Sequence, residues 1–219
     1  MAGMTDMALR ETRFIDSGHP DVTAFAAPHL RPGDDVATAV NLYYAIRDAV
    51  PYDIRAFGLD EDDFVASRVL KAKSAFCVPK AVALAALARA AGIPSRVGFA
   101  NVRNHLTTPK IAALMDDEVF RWHAYTALWL DGRWVKATPA FDIALCERHG
   151  IKPLDFNGRE DSIFHPFDRQ GRHHMEYLDF IGEFDDLPYE TFAAEMRKAY
   201  PRMLEALDRE RAIRQRRAG

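Results

Sequence analysis

Two residue types in this chain can make and break an acyl bond near neutral pH: cysteine as nucleophile and histidine as proton shuttle. Cys77 stands directly before VPKAVALAALARAAG, a run that reads as a helix from Val78 to Ala91. A thiol reacts as its thiolate, and the positive end of a helix dipole favours that negative charge. An adjacent imidazole would complete an ion pair and take the thiol proton, while the first N–H groups of the helix could hold an oxyanion. One element would then supply nucleophile, activation and part of the oxyanion site. The blander reading is that Cys77 is a small buried hydrophobe, as most free cysteines are. Of the eight histidines, His123 is the best partner, because it sits between Trp122 and Ala124 inside an apolar strand. A lone histidine in a strand is still more often structural. His105 competes, but it falls at a strand end in the polar context Arg103-Asn104-His105.

The elements that must position these two groups follow from pattern. Pro79 fits the first turn of a helix, where its missing N–H costs little, and Gly92-Ile93-Pro94 stops that helix. No polar residue lies between Ala81 and Ala88, so the helix is apolar all round and belongs in the middle of a domain. Ser95 to Asn104 reads as a strand and Pro109 to Met115 as a short helix. Trp122 to Leu130 is apolar on both faces, as in a covered strand. Asp131-Gly132 is a two-residue hairpin signal, with Arg133 to Thr138 returning. A helix capped by Asp34 or Asp35 runs to Pro51, and the acidic patch Asp60 to Asp63 opens a second through about Leu70. Ile143 to His149 reads as helix, residues 150–174 as loop and Met175 to Ile181 as strand. Helices fill Tyr189 to Tyr200 and Pro201 to about Arg214. Three parts are expected: an irregular N-terminal arm (1–33), a catalytic core (34–142) and an extension packed on it (143–219).

The stretch FCVPKAVALAALARAAGIPSRVGF resembles the cysteine-bearing helix and following strand of the transglutaminase-like superfamily. The later stretch RWHAYTALWLDGRWVKATPAFD resembles that family's histidine-and-aspartate hairpin. The resemblance spans about Asp34 to Asp142, with cysteine, histidine and acid in the expected order. It implies an α+β fold of cysteine-proteinase (papain-like) architecture, a central buried helix packed on an antiparallel sheet. It also implies thiol-dependent acyl transfer on an amide or peptide, with Cys77 as nucleophile and His123 as base. Family members include peptidases, transamidases and inactive relatives, so the name alone does not choose among them.

One departure bears on the mechanism. The family's third catalytic residue is an aspartate after the tryptophan of the return strand, directly before a proline. Here Thr138 holds that place, in Trp134-Val135-Lys136-Ala137-Thr138-Pro139, and the nearest acid is Asp142. Either Thr138 orients His123 through its hydroxyl, or the chain bends at Pro139 and returns Asp142 to the imidazole; the second is favoured. The family's glycine two residues before the cysteine is also replaced, by Ala75.

Composition narrows the rest. With 219 residues, 48% hydrophobic, 28% charged and a net charge of −3, the chain has the balance of a globular domain, not of a general nucleic-acid binder. Two cysteines are too few for a disulfide framework and fit a reducing compartment, although a single Cys77–Cys146 bridge is allowed by the count. The first residues lack a secretory pattern, and no apolar run approaches the ~20 residues of a membrane span. A soluble, cytoplasmic enzyme is expected, with a peptide, protein or small amide as its substrate and no nucleic-acid or membrane partner. It needs no metal or organic cofactor. His165, Asp168, His173 and His174 offer a weaker metal constellation, better read as a loop over the cysteine cleft or plain surface. Cys146 reads as packing. Trp122, Tyr125, Trp129 and Trp134 read as core or cross-strand pairs, and the arginine-rich end as a solvated helix terminus. Hydrolysis is favoured over transfer to an amine, and a non-catalytic module of the same fold is the alternative.

Overall fold

In a computed structural model, which describes residues 2–104, 109–115, 118–163 and 175–218, the apolar run behind Cys77 is a helix sheathed on every side. In chain order the elements are α1 (Ala2–Met7), α2 (Pro20–Ala26), α3 (Asp35–Ala49), α4 (Ala66–Val69), α5 (Cys77–Ala90), β1 (Ser95–Asn104) and α6 (Pro109–Ala112). There follow β2 (Val119–Leu130), β3 (Arg133–Ala137), α7 (Ile143–His149), β4 (Met175–Phe184), α8 (Tyr189–Ala199) and α9 (Pro201–Ala218). The strands form one sheet in the order β3-β2-β1-β4, antiparallel at each pairing. The fold is α+β, a central helix packed on an antiparallel sheet. Among the described residues, no helix is long and apolar enough to cross a membrane.

Every residue of α5 from Val78 to Arg89 is buried, because a helix with no polar face must be covered all round. Strands β1 and β2 cover one side; α2, α3 and α4 cover others. The two cations that flank the apolar run are drawn inside with it and become ties. Lys80 Nζ donates to the carbonyls of Arg47 (2.7 Å) and Val50 (2.5 Å), groups that the end of α3 leaves unpaired. Arg89 donates to the carbonyls of Ser95 (2.8 Å) and Asp185 (2.6 Å). On the sheet side, Thr126 Oγ1 donates to the carbonyl of Ala81 (2.8 Å), fixing β2 against the helix near its start.

The N-terminal arm, expected to be irregular, holds α1 and α2. Pro20 stands in the first turn of α2, where a missing N–H is harmless, and the His19 side chain caps that turn by accepting from Asp21 N–H. Val22 and Ala26 of α2 are buried, and Phe14 and Ile15 before it join the same core. At the other end, Phe192, Met196, Tyr200 and Met203 from α8 and α9 enter that core too. Strand β2 begins at Val119, earlier than its apolar run, and β4 continues to Phe184. His105, Asp116, Asp117, His165, Asp168, His173 and His174 lie outside the described residues.

Candidate active site

Cys77 is the first residue of α5, after Phe76, whose side chain makes no capping bond. The backbone N–H groups of Ala124 and Val78 lie near enough to the sulfur to favour its thiolate, which places it between the helix start and strand β2 at the residue after His123. Those same N–H groups are what a tetrahedral oxyanion on a bound carbonyl would need. Cys77 is half-buried, whereas Cys146 is buried; both are free thiols.

A bulge in β2 sets His123. Its partner in β1 is Ala100, and the next registered pair is Phe120 with Val102, so Arg121 and Trp122 together oppose Asn101. Trp122 takes a left-handed backbone (φ 57°), costly for a bulky residue and the kind of strain that clusters at functional sites. Asn101 holds the distortion: its Oδ1 accepts from Trp122 N–H at 3.2 Å. The result turns the Trp122 ring inward onto Phe99 and Phe192, and sets His123 in the wall of the cavity that Cys77 also lines.

That cavity offers about 630 Å³ of empty space, its open mouth included. Tyr52, Phe76, Phe120, Trp122 and Phe141 line it beside the two reactive groups. Its apolar walls govern the ionisation of both. Burial pushes the Cys77 thiol up to about 11, against the lowering effect of the N–H groups of Ala124 and Val78. Burial alone pushes His123 down to about 3. At neutral pH the pair is therefore a neutral thiol and a neutral imidazole. Both shifts run against the thiolate–imidazolium pair expected from the helix start.

The expected third member is elsewhere. Asp142 caps α7: its Oδ1 accepts from Leu145 N–H at 2.9 Å, and its Oδ2 from Tyr52 N–H at 2.8 Å. Its charge also faces Lys80, whose ionisation burial pushes down to about 7 despite that carboxylate. Thr138 fares no better as orienter. Its N–H and carbonyl pair with Ser162 and Tyr43, and its hydroxyl is buried with no hydrogen-bond partner. None of these bonds reaches His123. An aspartate immediately before a predicted helix is the ordinary N-cap signal, and that signal at Asp142-Ile143 foretold this use.

Tyr52 was not foreseen. It lies in the loop after α3, and an isolated bridge to Ala75 sets it beside the chain just before Cys77. The bond to Asp142 and an edge contact with Phe141 (4.8 Å) hold it there. Burial, then the nearby Cys77, pushes its phenol well above the usual range, so the hydroxyl stays a donor. No local pattern marked it, since the pairing with Ala75 joins distant segments. Trp122, read as core, both packs inward and lines the cavity, whereas Trp129 and Trp134 do form the expected cross-strand pair at 5.4 Å. Among the described residues, no cluster of three or more His, Cys, Asp or Glu is placed to hold a metal.

A family model described as transglutaminase-like superfamily matches residues 24–139, the span that carries Cys77, His123 and the return strand β3. No curated protein sequence matches the chain. A solved structure of a "putative cysteine protease" from Cytophaga hutchinsonii is similar at a TM-score of 0.49 and 13% identity, over 84% of this chain and 55% of that one. The chain thus spans little more than half the length of that protein.

Proposed function

Because the chain belongs to the transglutaminase-like superfamily, we propose that it is a cysteine-dependent acyl-transfer enzyme acting on an amide or peptide carbonyl. Cys77 attacks the carbonyl carbon as His123 takes the thiol proton; the C–N bond then breaks and the same proton passes to the leaving nitrogen. The acyl group rests on Cys77 as a thioester until water, deprotonated by His123, releases the acid. The N–H groups of Ala124 and Val78 hold the oxyanion at both tetrahedral stages. The observation that carries this reading is that Cys77 and His123 line one cavity, with the N–H groups of Ala124 and Val78 near the sulfur. With both groups neutral at rest, proton transfer accompanies attack instead of preceding it.

A burst experiment tests it. p-Nitrophenyl acetate should acylate one residue per chain, mapped to Cys77 by mass spectrometry. The burst should vanish in Cys77→Ala and slow about a hundredfold in His123→Ala, the usual scale of a lost general base. Added primary amine distinguishes the acceptors: hydrolysis, the favoured outcome, leaves free acid, and transamidation leaves the new amide. The second reading, a non-catalytic module, draws on one observation, that Asp142 is engaged by Tyr52 and Leu145. It predicts no burst in the wild type.

A further inference from the structure

Resting on that reading, we infer that the acyl side of the substrate is an uncharged, apolar group, aliphatic or aromatic, and that it occupies the cavity behind Cys77. Beyond the reactive pair, the described walls include Phe57, Phe76, Phe120, Phe141, Met196 and Met203, contributed by five separate stretches of chain. Phe57, Phe76, Met196 and Met203 are nearly inaccessible to solvent, so the walls are part of the core rather than a surface dent. A carboxamide side chain would set its polar atoms against a mostly apolar lining, in which only Tyr52, Asn104, Arg121 and Tyr200 offer polar groups beside His123. The methionines suit an apolar guest of variable shape, since an unbranched thioether side chain repacks easily.

The cavity takes the acyl part rather than the leaving group for a chemical reason. After the first step the acyl group stays bonded to Cys77 while the amine departs and water takes its place. The enclosed space therefore suits what remains, and the mouth suits what is exchanged. The apolar part of the lining, Phe57, Phe76, Phe120, Phe141, Met196 and Met203, would penalise a carboxylate or ammonium buried against it.

The test holds the leaving group constant and varies the acyl group. p-Nitrophenyl acetate, butyrate, hexanoate, phenylacetate and hemisuccinate are compared by kcat/KM and by the rate of Cys77 acylation. Selectivity should rise about fourfold per added methylene, the worth of burying one such group. Phenylacetate should exceed acetate by at least tenfold, and hemisuccinate should fall below butyrate. Met203→Trp, which fills the cavity from α9, should lower the hexanoate-to-acetate ratio measured within that variant. Acylation of Cys77 with a flat or inverted chain-length series overturns this inference and leaves the proposed chemistry standing. Failure of every ester to acylate Cys77 overturns both. A hexanoate preference that survives Met203→Trp unchanged places the acyl group outside the cavity and also overturns it.

Discussion

The ionisation of Cys77 gives the sharpest quantitative consequence of the structure. Burial holds its thiol at about 11, where an ordinary thiol would sit at 9.0. At pH 8 the thiolate fraction is then about 0.001, against about 0.1 for the unperturbed group, so alkylation by iodoacetamide should run about a hundredfold slower. The assay is the pseudo-first-order labelling rate of Cys77 between pH 6 and 11, read by peptide mass spectrometry. The buried Cys146 is followed in the same digest as a control for unfolding. The rate should climb tenfold per pH unit and still be rising at pH 10. A bound aldehyde inhibitor should nevertheless form a thiohemiacetal at pH 7, because the proton can pass to His123 as the sulfur attacks. A labelling plateau below pH 8 would refute the reasoning, since it requires a resting thiolate paired with a charged imidazole.

The structure fixes the sign of several further effects. Because Asp142 caps α7 and holds Tyr52, Asp142→Ala should lower stability by about 1 kcal/mol, the loss of a cap, by urea denaturation. The same variant should leave the acid limb of kcat/KM in place, near pH 3 in both proteins; a limb near 6.5 in the wild type would contradict the burial of His123. Tyr52→Phe keeps the ring and removes the donor beside Cys77, so acylation should slow about tenfold, roughly one hydrogen bond; an unchanged burst rate would remove Tyr52 from the chemistry. Asn101→Ala withdraws the acceptor that holds the bulge, and should reduce kcat more than it reduces the urea midpoint. For Lys80, the folded value of about 7 lies below the ordinary 10.5, so the unfolded chain binds more protons between those limits. Stability from this group therefore rises with pH from about 7 to 10.5, by at most about 1.4 kcal/mol per unit, and Lys80→Met should flatten that slope in urea titrations at pH 7, 8 and 9.

How much of this was legible depended on whether the signal was local. The helix behind Cys77 was readable because an apolar run without a polar face has one stable environment, the interior. The hairpin was readable because Asp131 and Gly132 both take positive φ (49° and 81°), which a two-residue turn demands and that dipeptide tolerates. Cys77 and His123 were readable as a pair only because two motifs occur in a known order. Helix α2 was missed because seven residues between prolines show too little period to register. The bulge at Arg121 and Trp122 was invisible because it depends on register against Asn101, which no single strand encodes. Tyr52 and the engagement of Asp142 were missed for the same reason: each is a pairing across 23 to 90 positions of chain.

The one reversal of sign came from weighing a local effect without its surroundings. A helix N-terminus stabilises a neighbouring anion by up to about 2 kcal/mol in favourable, partly buried sites, or about 1.5 pK units. Full burial of an ionisable group shifts it by as much as 3 to 5 units in the other direction. The property that made α5 recognisable, the lack of any polar residue from Ala81 to Ala88, also draws the helix start into apolar surroundings. The dipole and the desolvation at Cys77 are thus two consequences of one sequence feature, and desolvation is the larger. A nucleophile built this way gains nothing from being charged in advance. On the proposed mechanism its reactivity would rest on proton transfer to an equally desolvated imidazole and on the N–H groups near the sulfur, both of which act only once a carbonyl is in place.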